Sequence, residues 1–281
     1  MFKIGLSTVA KTVDEDLFVK YKEAGISAME FSIKNDDYST FDFKQNAQWG
    51  RKHNIDLWSC HLPYRTSEKM SLVDKDMQKK TIEYLSDIIK RASDAGVGKF
   101  ITHSSAGGIN DENREESKKC SKEILFNLAD IAKKNGSVIA VENLPPICLG
   151  RTSDEIAEMI SVSDDLRVCV DVNHFLMGET PADYIRKLGD KLVSVHLSDY
   201  DLVNERHWLP GEGINDWQSI LKALQEVNYS GVWLYEVAFI PVHTIERSRD
   251  LVCEDFVRNA NEIFANEKIT VLGKPAKDLY E

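Results

Sequence analysis

Eight short apolar runs, separated by longer amphipathic stretches, constrain the possible folds of this chain more than any other feature of its sequence. Several runs are rich in Val and Ile, which is typical of strands buried on both faces of a sheet. The runs occupy residues 3–8, 27–33, 56–64, 99–105, 137–144, 167–174, 192–200 and 231–237. A strand followed by a helix, eight times over, predicts an α/β fold whose parallel sheet closes into a (β/α)8 TIM barrel. An open, doubly wound sheet is the alternative.

Residues that stop or start helices support this division of the chain. Gly25 and Gly96 each follow an amphipathic stretch, and glycine just past a helix is a stop signal. Asn215 and Asp216 are the two candidates for the N-cap of the helix that follows them. No linker rich in Pro, Gly or Ser is present, so we expect a single barrel domain over residues 1–266. Residues 267–281 are expected to form a C-terminal tail packed on or outside the barrel.

The overall composition excludes several classes of protein. The 281 residues are 42% hydrophobic, which allows a sizeable core. No run of about 18 apolar residues and no signal-peptide pattern is present, so no membrane partner is expected. Five Cys without a CxxC motif indicate reduced thiols and a cytoplasmic location. A net charge of −11 argues against a nucleic-acid partner.

One apolar run carries a carboxylate where an apolar side chain is expected. Asp171 lies between Val170 and Val172, and His174 follows three residues later. A buried, unpaired carboxylate costs several kcal/mol, so it needs a cationic partner, a proton or a metal. The ends of the other predicted strands indicate which of these is present.

Most of the other predicted strands also end in a residue that can bind a metal. Alternate strand residues point into a barrel, and active sites form at the carboxyl ends of its strands. The candidates at these ends are His61, His103, Glu142, Asp171, His174, His196 and Glu236, with Glu30 at the same level of the second strand. His207 lies in the loop after the seventh strand, whereas His53 and His243 fall elsewhere.

These side chains predict a divalent metal. Few Lys or Arg occupy the inner strand positions, so the histidines and carboxylates would repel or stay unpaired without a cation. Imidazole with carboxylate suits Mn²⁺ or Zn²⁺, the two metals we favour, and also Co²⁺ or Fe²⁺. Carboxylates alone would suit Mg²⁺ better.

Five motifs resemble those of the xylose-isomerase-like barrel superfamily, and most closely those of its sugar phosphate isomerases and epimerases. They are VENLPP (141–146), CVDVNHFL (169–176), VHLSDYD (195–201), HWLPGEG (207–213) and LYEV (234–237), and their order matches over roughly residues 1–265. The resemblance implies that Glu142, Asp171, His196 and Glu236 bind the metal and that the two glutamates form the acid/base pair. It also implies that His174 contacts the substrate and that Arg206 holds a substrate hydroxyl. We add His61, His103 and His207 as candidate substrate-binding residues.

A second branch of the same superfamily, the zinc-dependent apurinic-site endonucleases, offers an alternative. Its members use nine ligands around three zinc ions, and this chain has a candidate for each. The extra candidates beyond the four above are His61, His103, His174, Glu205 and His207. The segment ERH (205–207) resembles the Asp-Arg-His of that branch, with Glu in place of Asp.

The predicted rim loops favour a sugar enzyme over a nuclease. A nuclease meets many phosphates and needs Lys and Arg, but the loops KNDDYST, AGGINDENREES and DYDLVNERHWLPGEGIND are acidic or mixed. We therefore predict a metal-dependent isomerase or epimerase of a small sugar or sugar phosphate. It would act through a metal-stabilised enediolate and a glutamate acid/base pair. A sugar dehydratase would need nearly the same residues, and a non-catalytic sugar-binding module would not need two inward glutamates. The sequence leaves open whether the chain forms a homo-oligomer.

Overall fold

Eight parallel strands form a nearly closed barrel in which strands consecutive along the chain lie side by side. In the computed structural model, which describes residues 2–277, the strand order is β7-β6-β5-β4-β3-β2-β1-β8. The strands are β1 (Lys3–Ser7), β2 (Ala28–Phe31), β3 (Asp56–His61), β4 (Lys99–Thr102), β5 (Val138–Glu142), β6 (Arg167–Asp171), β7 (Leu192–His196) and β8 (Val232–Tyr235). This order confirms the predicted barrel and rules out the open sheet.

The helices alternate with the strands and cover the barrel from outside. They are α1 (Glu15–Ala24), α2 (Phe43–His53), α3 (Ser67–Met70), α4 (Lys75–Asp94), α5 (Arg114–Lys134), α6 (Ser153–Ile160), α7 (Pro181–Leu188), α8 (Trp217–Glu226) and α9 (Cys253–Phe264). Gly25 ends α1 with φ 90°, in the left-handed region that glycine favours. Asp216, rather than Asn215, is the N-cap of α8, because its side chain accepts the amide hydrogen of Ser219.

The barrel interior is apolar at its lower end. Ala28, Val232 and Leu234 form a buried cluster there, against which Trp58 packs. Gly5 makes this filling possible, since a Cβ added to it would lie 2.5 Å from Cγ1 of Val232. Polar side chains are thereby left for the carboxyl ends of the strands.

The barrel closes at a seam between its two end strands, β7 and β8. Residue Leu197, just past β7, bridges to the end of β8. Its amide donates to the carbonyl of Leu234 at 2.9 Å, and its carbonyl accepts the amide of Glu236 at 3.2 Å. The seam thus has two backbone hydrogen bonds at its carboxyl end. The other neighbouring strands pair as parallel ladders, with a register shift between β2 and β3 and another between β6 and β7.

A small second sheet lies outside the barrel. Strand β9 (Ile245–Arg247) pairs antiparallel with β10 (Gly273–Pro275). Part of the predicted tail, 267–281, therefore pairs with the loop that follows β8, while residues 278–281 lie outside the described residues. The domain boundary at 266 stays a prediction. No helix within residues 2–277 combines the length and apolar character needed to cross a membrane, and the five cysteines are buried and free.

Candidate active site

Four ionisable side chains converge at the carboxyl ends of adjacent strands. Glu142, Asp171 and His196 are the last residues of β5, β6 and β7, and Glu236 directly follows β8. One ligand atom from each lies within 4.8 Å of the others. Nδ1 of His196 is 3.2 Å from Oε1 of Glu142 and 3.2 Å from Oε2 of Glu236. We call these four residues the central group.

Two asparagines hold Asp171 in its buried position. Asn143 donates to the carbonyl of Asp171 at 2.9 Å and accepts its amide at 2.9 Å. Oδ1 of Asp171 accepts the amide of Asn173 at 2.7 Å. Oδ2 of Asp171 is buried and makes no hydrogen bond among the described residues, and it lies 3.5 Å from Nε2 of His174.

Two flanking groups adjoin the central group and share its rim. In the first, Nε2 of His61 and Nε2 of His103 lie 3.3 Å and 3.4 Å from Oε2 of Glu142. In the second, Oε2 of Glu205 lies 3.7 Å from Nε2 of His174 and 4.0 Å from Nε2 of His207. Each flanking group brings three ligand atoms within 4.8 Å of one another. The structure therefore brings together every side chain that the sequence marked as a candidate ligand.

Arg206 lies beside the second flanking group, but a neighbour already occupies its guanidinium. Its Nε donates to Oδ2 of Asp201 at 2.7 Å in a partly buried ion pair. The guanidinium also lies over the ring of Trp208, 5.9 Å from its centre. A contact between Arg206 and a substrate hydroxyl stays a prediction.

His53 and His243 lie away from these groups, as the sequence predicted. His53 is at the end of α2 and faces Glu15, with Nε2 2.9 Å from Oε1. His243 is exposed in the segment between β8 and β9. His53 therefore provides a remote histidine for comparison with those of the site.

The crowding of charges shifts several pKa values. Burial raises the pKa of Asp171 to about 6, although the charge of His174 opposes this shift. Burial lowers the pKa of His61, but the hydrogen bond to Glu142 outweighs it and raises the pKa to about 9. Burial also lowers the pKa of His174, and the charges of Asp171 and Glu205 outweigh it and raise the pKa to about 10. A cation that binds here must displace protons from these histidines.

The residues of the central group fit a divalent transition metal. Three carboxylates and one imidazole form a mixed oxygen and nitrogen donor set, which suits Mn²⁺, Zn²⁺, Co²⁺ or Fe²⁺. Oε2 of Glu142 is buried against Nε2 of His61 and Nε2 of His103, and Oδ2 of Asp171 is buried 3.5 Å from Nε2 of His174. Buried carboxylate oxygens of this kind are costly unless a cation is present.

Two residues close to the site received no role from the sequence. Glu30, on β2, lies within 3.1 Å of His196, and only its parity along the strand pointed to it. Lys11, in the loop after β1, donates to the carbonyl of Ser7 at 2.9 Å and lies 4.4 Å from the ring centre of Phe239. Burial lowers the pKa of Lys11 to about 8. No sequence pattern marks a lone lysine in a loop.

A parallel eight-stranded barrel with its polar group at the carboxyl ends of the strands defines the TIM-barrel class. Within that class, the chain belongs to the xylose isomerase-like TIM barrel family, whose model matches residues 18–254. The superfamily indicated by the sequence motifs is thereby confirmed.

Similar proteins with assigned names are sugar isomerases and epimerases. An inosose isomerase from Bacillus subtilis is 31% identical over 42% of this chain and 46% of its own length. A fructoselysine 3-epimerase from Shigella flexneri is 24% identical over 66% of this chain and 72% of its own. The chain thus spans less than half of the inosose isomerase. The crystal structure of D-psicose 3-epimerase with D-tagatose from Clostridium cellulolyticum H10 shares the fold, with TM-score 0.74, 19% identity and coverage of 85% and 86%.

Proposed function

We propose that this protein is a metal-dependent isomerase or epimerase of a small sugar or sugar phosphate. The observation that carries the proposal is the position of two glutamates, Glu142 and Glu236, which both face Nδ1 of one buried histidine. Their carboxylate oxygens both lie 3.2 Å from Nδ1 of His196. The names of the relatives support this class of reaction.

The central group would hold the metal, with Glu142, Asp171, His196 and Glu236 as its ligands. A divalent metal bound there would polarise the carbonyl and the neighbouring hydroxyl of the sugar as a Lewis acid. The mixed donor set favours Mn²⁺ or Zn²⁺ over Co²⁺, Fe²⁺ and Mg²⁺, and metal analysis of the purified protein decides among them.

The two glutamates would move the proton. Burial raises the pKa of Glu142 and of Glu236, but His196 outweighs this effect and holds both pKa values below their usual range. Both groups are therefore carboxylates at neutral pH and can act as bases. One removes the proton from the carbon next to the carbonyl. In an epimerase the other glutamate takes up a proton from solvent and delivers it to the opposite face of the same carbon. In an isomerase the first glutamate delivers the proton it removed to the adjacent carbon.

The flanking side chains would line the substrate site. Glu236 is 12% exposed and Glu142 only 1%, so a substrate would reach Glu236 from the open mouth of the barrel. The remaining candidate substrate contacts would line that mouth, and they are His61, His103, His174, Arg206 and His207.

The experiment measures proton exchange with solvent. A panel of ketoses, their phosphates and related keto sugars is incubated in D₂O with metal-loaded protein and followed by NMR. Deuterium is expected at the carbon next to the carbonyl with the wild type. Glu142→Gln and Glu236→Gln keep one coordinating oxygen but remove the base, and each should lower turnover by about 10²-fold or more. Glu15→Gln, a remote glutamate on α1 paired with Lys52, is the matched control and should be fully active.

Two results would contradict this mechanism. Conversion without solvent deuterium, together with full activity of both Gln variants at the site, would favour a hydride shift between carbons. Loss of water from the sugar in the same spectra would instead identify a dehydratase built on the same residues.

A second candidate function is a metal-dependent phosphodiesterase, and the two flanking groups favour it because together with the central group they could hold three ions. The rim argues against a phosphate backbone as substrate, since its arginines already pair with carboxylates. These pairs are Arg65–Asp36, Arg114–Glu155, Arg151–Asp111 and Arg206–Asp201. The test is incision of abasic duplex DNA at low salt, where electrostatic attraction is strongest. Incision above a Glu142→Ala control would replace the sugar proposal.

A further inference from the structure

Glu30 is a fully buried carboxylate that contacts the far side of His196. Its two oxygens lie 3.0 Å and 3.1 Å from Nε2 of His196, and neither residue is exposed to solvent. The hydroxyl of Ser59 donates to Oε2 of Glu30 at 2.6 Å and holds it in place. The imidazole is therefore clamped between Glu30 on one side and the central group on the other.

This contact determines which ring nitrogen of His196 is available to a metal. A carboxylate only accepts hydrogen bonds, so Nε2 of His196 carries the hydrogen and donates it to Glu30. Nδ1 faces the carboxylates of Glu142 and Glu236, so it also carries a hydrogen when no metal is bound, and its lone pair would bind a metal that displaces this hydrogen. A carboxylate partner orients a metal-binding imidazole and makes it a stronger ligand.

Three of the four histidines of the flanking groups have a weaker partner at Nδ1. Nδ1 of His61 lies 2.7 Å from the carbonyl oxygen of Leu62, and Nδ1 of His174 lies 2.7 Å from that of Asn143. Nδ1 of His207 lies 3.3 Å from a backbone carbonyl as well. These partners are neutral carbonyls, whereas the partner of His196 is an anion.

The number of carboxylates also distinguishes the central group from the flanking groups. The central group contains three carboxylates, and each flanking group contains one. Glu30 adds a fourth carboxylate next to the central group without being one of its ligands, because the ring of His196 stands between. The field at the centre is therefore the most favourable for a divalent cation.

We propose that Glu30 is a positioning residue that fixes the orientation of His196 and makes the central group the first and tightest of the three groups to bind a divalent metal. The inference rests on the metal dependence proposed above, and it extends that proposal to the order in which the groups fill. Glu30 itself touches neither metal nor substrate.

The experiment titrates protein stripped by a chelator with Co²⁺, followed by calorimetry and by the visible absorption of the bound ion. The wild type is expected to show one tight step before any weaker steps. Glu30→Gln keeps the size of the side chain but loses its charge, and it should weaken the tight step about 10- to 100-fold and alter its absorption. Glu205→Gln is the matched control and should leave the tight step unchanged.

A tight step of wild-type affinity and spectrum in folded Glu30→Gln would overturn the inference, as would loss of that step in Glu205→Gln. If Glu30→Gln does not fold, Ser59→Ala decides, because it removes the donor that fixes Glu30. It should weaken the same step to a smaller degree, and no change would count against the inference. Ordered Co²⁺ binding in a protein that converts no sugar would contradict the proposed reaction and leave the role of Glu30 intact.

Discussion

The histidines of the site hold protons that a metal must remove. The pKa of His61 is raised to about 9 and that of His174 to about 10, in each case because carboxylate partners outweigh the effect of burial. Both residues are therefore cationic at neutral pH when no metal neutralises their partners. The charges of the site are balanced in one of two ways, by protons or by a metal.

The stability of metal-stripped protein should consequently depend on pH. A histidine whose pKa is raised on folding stabilises the fold below its ordinary pKa of about 6.5, and this contribution is lost as pH rises through the folded value. For His61 and His174 the loss spans pH 7 to about 10. We expect the Tm of stripped protein to fall over this range more steeply than that of metal-loaded protein.

Calorimetric melting of both forms at several pH values checks this expectation. The loaded form is the internal control, because groups remote from the site titrate equally in both. A gap in Tm between the two forms that narrows as pH rises to 10 would contradict the assignment of protons to these histidines.

Individual site residues were predictable where strand alternation determines the inward direction. Glu142 and His196 could be placed at strand ends from sequence because alternate residues of a strand share one face. The role of Glu30 could not, since its partner is 166 residues away along the chain. For Arg206 the difficulty is a local one. Its partner Asp201 is only five residues away in the chain and competes with a substrate for the guanidinium.

At the scale of structural elements, residues of the HWLPGEG motif (207–213) help to fix the loop between β7 and α8. Asp199 accepts the amides of Gly211 at 2.8 Å and Asn215 at 3.0 Å, and the indole of Trp217 at 3.0 Å. Glu212, in the same motif, pairs with a buried arginine of β9. These contacts therefore fix the loop that carries Glu205 and His207.

Gly213 is the residue of this loop that tolerates substitution least. A Cβ added there would lie 2.2 Å from the carbonyl oxygen of Tyr200 and 2.5 Å from Oδ1 of Asp199, and a backbone atom cannot move aside cheaply. Gly213→Ala should lower the free energy of unfolding by about 1–3 kcal/mol. Gly98→Ala, where an added Cβ meets nothing within 4 Å, is the control.

Urea denaturation of the two variants measures the difference. The same substitution should weaken metal binding at the group formed by His174, Glu205 and His207 and spare the central group, which the strands hold. Equal unfolding midpoints for the two glycine variants would show that the loop is not held as described.

Elements differed in how well the sequence predicted them. The stop of α1 at Gly25 was predictable because it depends on local backbone geometry. The start of α8 was ambiguous by one residue, since Asn215 instead donates its side-chain amide to the carbonyl of Ser198, a contact invisible in the sequence. The path of the β7–α8 loop depends on Asp199, whose partners lie up to 18 residues away.

For the whole molecule, eight apolar runs were sufficient to predict the barrel, because eight strand–helix units have few other ways to bury their apolar faces. The net charge of −11 and the paired rim arginines together favour a small substrate over a polyanion. The two hydrogen bonds at the seam could not be predicted, since they depend on how the two end strands meet.

A metal bound by the central group would also stabilise the barrel at this seam. His196 ends β7 and Glu236 follows β8, so the central group straddles the join between the two ends of the sheet. An ion bound there would link the ends of β7 and β8 across the seam. In hydrogen-exchange experiments the amides of Leu197 and Glu236 should exchange faster once the ion is removed, while amides of β4, on the far side, should keep their rates. Equal acceleration on both sides would mean that the ion tightens the barrel as a whole rather than at its join.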